Sequence, residues 1–150
     1  MIGKIKGFFV VASNPVAIVV EHNYIEGFSS AVSAVNFPYE IADSFHGQLF
    51  TVRYNEIRNI DARVSDGHGG YLGDTSTFVA GGIQPHFLRD AVIEISWNQI
   101  SNEVFRMGGI GDTISTSNSR GMPSQPIAIH NNFLQGSYPA DPSAHRQGRR

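Results

Sequence analysis

The stretch Ala91-Val-Ile-Glu-Ile-Ser-Trp-Asn-Gln99 decides the fold class. Ile93, Ile95 and Trp97 alternate with Glu94, Ser96 and Asn98. A period of two is that of a strand with one face in a core and the other toward water. The alternation places Ile93, Ile95 and Trp97 inward and the polar set outward.

The same pattern extends in both directions. Gln48–Tyr54 alternates, with Phe50, Val52 and Tyr54 on one face and Leu49, Thr51 and Arg53 on the other. Glu56–Val64 does so through Ile57, Ile60, Ala62 and Val64, with a slip at Asn59 that reads as a bulge. Upstream, residues 2–12 and Val16–Glu21 read as strands around an Asn14-Pro15 turn. His22–Gly27 reads as a connection, and 28–37 fits a helix or a strand. Ser65–Gly73 is a glycine-rich loop, and Thr75–Ala80 a short strand ended by Gly81-Gly82. Glu103–Met107 and Asp112–Ser117 complete the set, with Gly108 to Asp112 read as a turn. No segment shows a long amphipathic helical period, and no internal repeat is read. About eight strands with glycine punctuation predict an all-β fold, a jelly-roll-like β-sandwich over 1–117.

After Ser117 the composition changes. Residues 118–150 carry Pro123, Pro126, Pro139 and Pro142 among Ser, Asn, Gln and Gly, with apolar islands at Ile127–Ile129, Phe133-Leu134 and Tyr138. This segment is expected to be an irregular C-terminal arm that packs on a neighbour, because its apolar surface is too small to offset the entropy of ordering. Four arginines against one aspartate give the arm +3, which leaves −5 on the remainder of a chain whose net charge is −2.

Composition narrows the function classes. The chain has 150 residues, enough for one domain, and 41% of them are hydrophobic, enough for one core. Charged residues make up 16%, fewer than an isolated soluble domain usually carries. The absence of cysteine excludes disulfides, thiolate nucleophiles and Cys-ligated zinc. The overall charge argues against a general nucleic-acid binder; the basic arm could touch nucleic acid, but an acidic neighbouring subunit is the reading taken. The apolar runs at Phe8–Ala12 and Val16–Val20 are too short for a signal peptide or a membrane span.

No catalytic constellation emerges. Asp61, Asp66, His68 and Asp74 surround glycines and could supply oxygens to calcium, but the spacing is not that of an EF-hand. A flexible hairpin loop without metal is expected there. His22, His46, His68, His86, His130 and His145 show no zinc-binding spacing. There is no G-x-S-x-G nucleophile elbow. No catalytic, cofactor-binding or metal-binding residue is assigned, and no cofactor is expected.

The expected function is therefore structural and non-enzymatic. The sandwich with its long arm is similar in architecture to viral coat and vertex proteins, which implies a virion component, in capsid, vertex or tail. Its partners would be copies of itself or other assembly subunits. Phe133, Leu134, Tyr138, Arg149 and Arg150 are the candidate assembly contacts. The alternative is a carbohydrate-binding, lectin- or adhesin-like module, using Tyr24, Tyr54 and Tyr71 with Asn23, Asn55 and Asp74. Trp97 in solvent rather than in the core would favour that alternative.

Overall fold

The computed structural model describes residues 6–12, 17–36, 48–61, 63, 66–70, 80–103 and 110–136. Among them there are strands and no helix. Twelve strands follow in chain order: β1 (Lys6–Ala12), β2 (Ala17–Glu21), β3 (Tyr24–Glu26), β4 (Ser30–Asn36), β5 (Leu49–Arg53), β6 (Glu56–Arg58), β7 (Ala80–His86), β8 (Val92–Ser96), β9 (Gln99–Ser101), β10 (Ile110–Ile114), β11 (Ala128–His130) and β12 (Phe133–Gln135).

Their pairing corrects the expected β-sandwich. The strands form three sheets, ordered β1-β4-β7-β10, β2-β5-β8-β11 and β3-β6-β9-β12. Every ladder between these strands is parallel. Each strand pairs with the strand three later in the chain, so the backbone winds round three faces and returns one strand spacing, about 4.8 Å, further along. The architecture is a parallel β-solenoid, not a jelly roll. Parallel neighbours need a long crossover. Here two short strands on the other faces supply it in place of a helix.

Alternation along one strand cannot distinguish these folds, because a solenoid strand also buries one face and exposes the other. Phe50, Val52, Ile93 and Ile95 are buried as the pattern predicts. In the solenoid they stack in register, as Ile18-Phe50-Ile93 and Val20-Val52-Ile95-Ile129. A further row, Ile25-Ile57-Ile100-Leu134, runs inside β3, β6, β9 and β12, and Val32-Ile83-Ile114 inside the remaining sheet. A fully buried Ile or Phe in such a row contributes about 1.5–3 kcal/mol relative to exposure. Like side chains meet like from rung to rung, so packing depends on nearest neighbours along the axis.

Several local expectations change with the topology. The connection at His22–Gly27 contains β3, and the ambiguous 28–37 segment contains β4. Gly81-Gly82 does not end a strand but lies inside β7, and Ile110-Gly111-Asp112 belongs to β10 rather than a turn. The expected irregular arm supplies β11 and β12, which pair with β8 and β9 and form the last described rung. Its apolar residues Ile129 and Leu134 continue interior rows of the body in register, and both remain about half exposed on the last described rung. The candidate contact Phe133 lies on β12 and is exposed. Tyr138, Arg149 and Arg150 lie outside the described residues, as do most of the expected strands at Thr75–Ala80 and Glu103–Met107. No helix among the described residues is long and apolar enough to cross a membrane.

Candidate functional site: an aromatic ladder on the solenoid corner

At the corner between the β2-β5-β8-β11 sheet and the β3-β6-β9-β12 sheet, each rung places one residue in the left-handed backbone region. These are His22, Tyr54, Trp97 and Asn131, with φ of 56°, 57°, 56° and 54°. The asparagine after each, Asn23, Asn55, Asn98 and Asn132, follows at the same corner, and Asn55 and Asn98 are buried. The left-handed residue turns the chain and shifts the alternation by one. Trp97 is therefore 52% exposed, although Ile93 and Ile95 point inward, and Asn98 takes the interior place.

The asparagines form a continuous ladder. The Asn23 N–H donates to Asn55 Oδ1 at 3.0 Å, the Asn55 N–H to Asn98 Oδ1 at 3.1 Å, and the Asn98 N–H to Asn132 Oδ1 at 2.9 Å. Three of the side-chain amides also donate to a backbone carbonyl of the previous rung, Asn55 to Val20 at 2.9 Å, Asn98 to Val52 at 2.8 Å and Asn132 to Ile95 at 2.8 Å, while Asn23 donates to Glu21 of its own rung at 2.7 Å. The corner turns away from both sheets, so its backbone groups need side-chain partners. Asparagine carries both a donor and an acceptor and can serve both neighbours. Asn59 and Asn102 act similarly at the next corner, where Asn102 Oδ1 accepts from the Ile60 N–H at 2.9 Å. The slip at Asn59 is thus a corner, not a bulge.

Outside the asparagines stand the rings. His22 and Tyr54 stack with centroids 5.1 Å apart and planes 11° from parallel; Tyr54 and Trp97 stack at 6.5 Å and 20°. Left-handed φ costs a non-glycine residue roughly 1–2 kcal/mol, and bulky side chains are seldom found there. Asn131 shows that the corner accepts the residue type suited to it. Three rungs instead carry rings, which remain in solvent.

The flanking rows are polar. Arg53 Nε meets Glu21 Oε1 at 2.7 Å, and the Arg53 guanidinium lies 5.7 Å from the Tyr54 centroid. On the outer face of the adjoining sheet, Tyr24, Glu56, Gln99 and Phe133 share one row, and Glu26, Arg58, Ser101 and Gln135 another. Arg58 Nε donates to Glu56 Oε1 at 2.7 Å, which raises the Arg58 pKa further above its usual value. The Tyr24 hydroxyl donates to Glu26, and that carboxylate raises the phenol above its ordinary pKa. A neutral phenol can donate this bond; a phenolate cannot.

No known protein family, curated protein or solved structure matches this chain.

The other candidates disperse. Asp61 is engaged by Arg63, whose Nε lies 2.8 Å and 2.9 Å from its two oxygens. Asp66 Oδ1 accepts the N–H groups of His68 at 2.7 Å and Gly70 at 2.9 Å, closing its own loop. Asp74, Tyr71, His46 and His145 lie outside the described residues. Among the described residues no group of three His, Asp or Glu side chains is placed to hold a metal. An open depression beside Asp90, Ser119, Arg120, Met122 and Pro126 is bordered by the Arg120–Asp90 ion pair, at 2.8 Å.

The corner was legible in one respect that single-strand reading misses. Val20-Glu-His-Asn-Tyr-Ile-Glu-Gly27, Val52-Arg-Tyr-Asn-Glu-Ile-Arg-Asn59, Ile95-Ser-Trp-Asn-Gln-Ile-Ser-Asn102 and Ile129-His-Asn-Asn-Phe-Leu-Gln-Gly136 align without a gap. Successive asparagines are 32, 43 and 34 residues apart. The uneven spacing hides the repeat from any search at a fixed period.

Proposed function

We propose that this chain is a non-catalytic carbohydrate-binding module that holds an extended glycan along the His22–Tyr54–Trp97 corner. The observation carrying this reading is the exposure of Tyr54 and Trp97 in a backbone conformation that would cost asparagine or glycine less. Strain kept at a solvent-facing position points toward use rather than packing. Glycan recognition needs aromatic surface for the apolar faces of sugar rings and amide or carboxylate groups for the hydroxyls. Rungs repeat both at about 4.8 Å, close to the advance of one sugar in an extended chain. Gln99, Glu56 and Glu26 stand on the adjoining face.

The chain has a single tryptophan, Trp97, so its fluorescence reports on the site directly. Titration with soluble polysaccharides should shift or quench that emission, and Tyr54→Ala should weaken binding. A panel that binds nothing, under conditions where the protein is folded, rejects the reading.

A second reading, an assembly subunit such as a virion component, is favoured by a different observation. Among the described residues the interior rows end at Ile129 and Leu134, which are 48% and 50% exposed, beside Phe133 at 55%. This apolar end suits contact with another subunit. Leu134→Glu should then reduce the oligomer size measured by light scattering; an unchanged monomer for both proteins counts against it.

A further inference from the structure

The ring ladder does not run the full length of the corner. His22, Tyr54 and Trp97 occupy equivalent positions on successive rungs, and the fourth position is Asn131. Tyr54 covers one face of Trp97. The next rung places the short amide of Asn131 at the equivalent corner position, and among the described residues Tyr54 is the one ring stacked on Trp97, which remains 52% exposed. We infer that this step is a subsite in which one sugar ring stacks on the free face of Trp97 above Asn131, and that the glycan it takes is uncharged. The inference rests on the carbohydrate reading above and adds the place and the ligand class.

The geometry of the place follows from the ladder. A ring seated one rung spacing beyond Trp97 occupies the volume that Tyr54 or Trp97 fills on its own rung. Its polar neighbours are Asn131 and His130. Asn131 Oδ1 lies 2.8 Å from His130 Nδ1, so the amide is oriented and its nitrogen is left to donate to a hydroxyl. His130 Nε2 faces Glu94 at 3.7 Å.

The ligand class follows from charge. An anionic glycan needs cations that are not already neutralised. Among the described residues the two arginines flanking the ladder are both engaged, Arg53 with Glu21 and Arg58 with Glu56. Glu26 and Glu94 add negative charge to the same faces. Carboxylates and amides accept and donate to hydroxyls, whereas they would repel a uronate or a sulfated sugar.

The test uses the full chain with cellohexaose, maltohexaose, mannohexaose and oligogalacturonate, read by calorimetry throughout and by Trp97 fluorescence in the parent and in the variant that keeps a single tryptophan. Asn131→Trp extends the ladder into the subsite with a residue that the corner already accepts on the preceding rung. Asn131→His does the same with the ring carried by the first rung, and serves if the larger side chain impairs folding. A neutral hexaose should bind the parent chain and lose at least tenfold in affinity in these variants, with melting temperatures held. Binding of a neutral hexaose unchanged by both variants overturns the subsite but leaves the carbohydrate reading standing. Binding of oligogalacturonate alone overturns the neutral class. Failure of every glycan to bind the parent chain removes the carbohydrate reading and this inference with it.

Discussion

Asn98 Oδ1 accepts both the backbone N–H of Asn55, at 3.1 Å, and its side-chain amide, at 3.0 Å. One buried oxygen thus satisfies two donors of the preceding rung. Asn98→Ala leaves the Asn55 N–H without this acceptor in an interior that excludes water, and it also strips the Val52 carbonyl of its 2.8 Å partner. An unsatisfied buried group costs about 1–3 kcal/mol. Asn98→Ala should therefore lower unfolding free energy by about 2–4 kcal/mol, measured by urea denaturation. A loss below about 0.5 kcal/mol would show that the ladder is ornamental to stability.

Trp97→Asn separates folding from binding. It restores the residue type used on the last rung and relieves the left-handed strain, while it forfeits stacking on Tyr54. The two changes oppose each other, each of order 1 kcal/mol. Stability should stay within about 1 kcal/mol of the parent, and glycan affinity should fall. Unfolding of this variant would place Trp97 among the core contributors, against its exposure.

Gly82 lies where the chain passes close to the neighbouring rung. A Cβ there would sit 2.5 Å from the Thr113 carbonyl oxygen and 3.1 Å from Ile60 Cδ1. The first of these atoms is backbone and cannot swing aside. Gly82→Ala should destabilise by about 1–3 kcal/mol, as overpacking does. A calorimetric melting point equal to the parent's would show that β7 and β10 separate more easily than the contact implies.

The last described rung is part of the body. Removing residues after Ser117 takes away β11, β12 and the Asn132 oxygen that accepts from Asn98. It also uncovers Ile95 and Ile100. In a solenoid each rung covers the one before it, so the truncated chain should melt well below the full chain in circular dichroism. Equal melting temperatures would detach this rung from the fold.

Tyr24 should titrate above the ordinary phenol value, because ionisation breaks its bond to Glu26. A folded pKa raised above the unfolded one gives a contribution that is complete below the unfolded pKa of about 10 and is lost as pH rises through the folded value. The pair therefore weakens only in strongly alkaline solution. Glu26→Gln should lower the Tyr24 midpoint in an NMR titration; an unmoved midpoint would mean that the carboxylate is not its cause.

The sequence by itself determined that the chain is built of strands and which aliphatic residues of its clearest strands face the interior, while Ile25, Ile83, Leu88 and Ile100 joined the core without a local pattern to announce them. Phe50, Val52, Ile93 and Ile95 alternate with polar neighbours and are buried, but the outer face is not uniformly exposed: Ser33, Thr51 and Ser96 are buried as well. It also contained the apolar-x-x-Asn-x-Ile/Leu repeat, at spacings that vary because the connections between rungs differ in length. Only the tertiary structure decided how the strands pair. A period of two states which face is buried but not which partner lies alongside, and parallel rungs and antiparallel sheets satisfy it equally. It alone also decided the fate of Trp97. The alternation carried Trp97 into the core, but a left-handed φ at the corner advances the phase by one residue and turns the indole outward. That φ is held by hydrogen bonds from rungs 43 and 34 residues away along the chain, a cause that the local pattern around Trp97 does not contain.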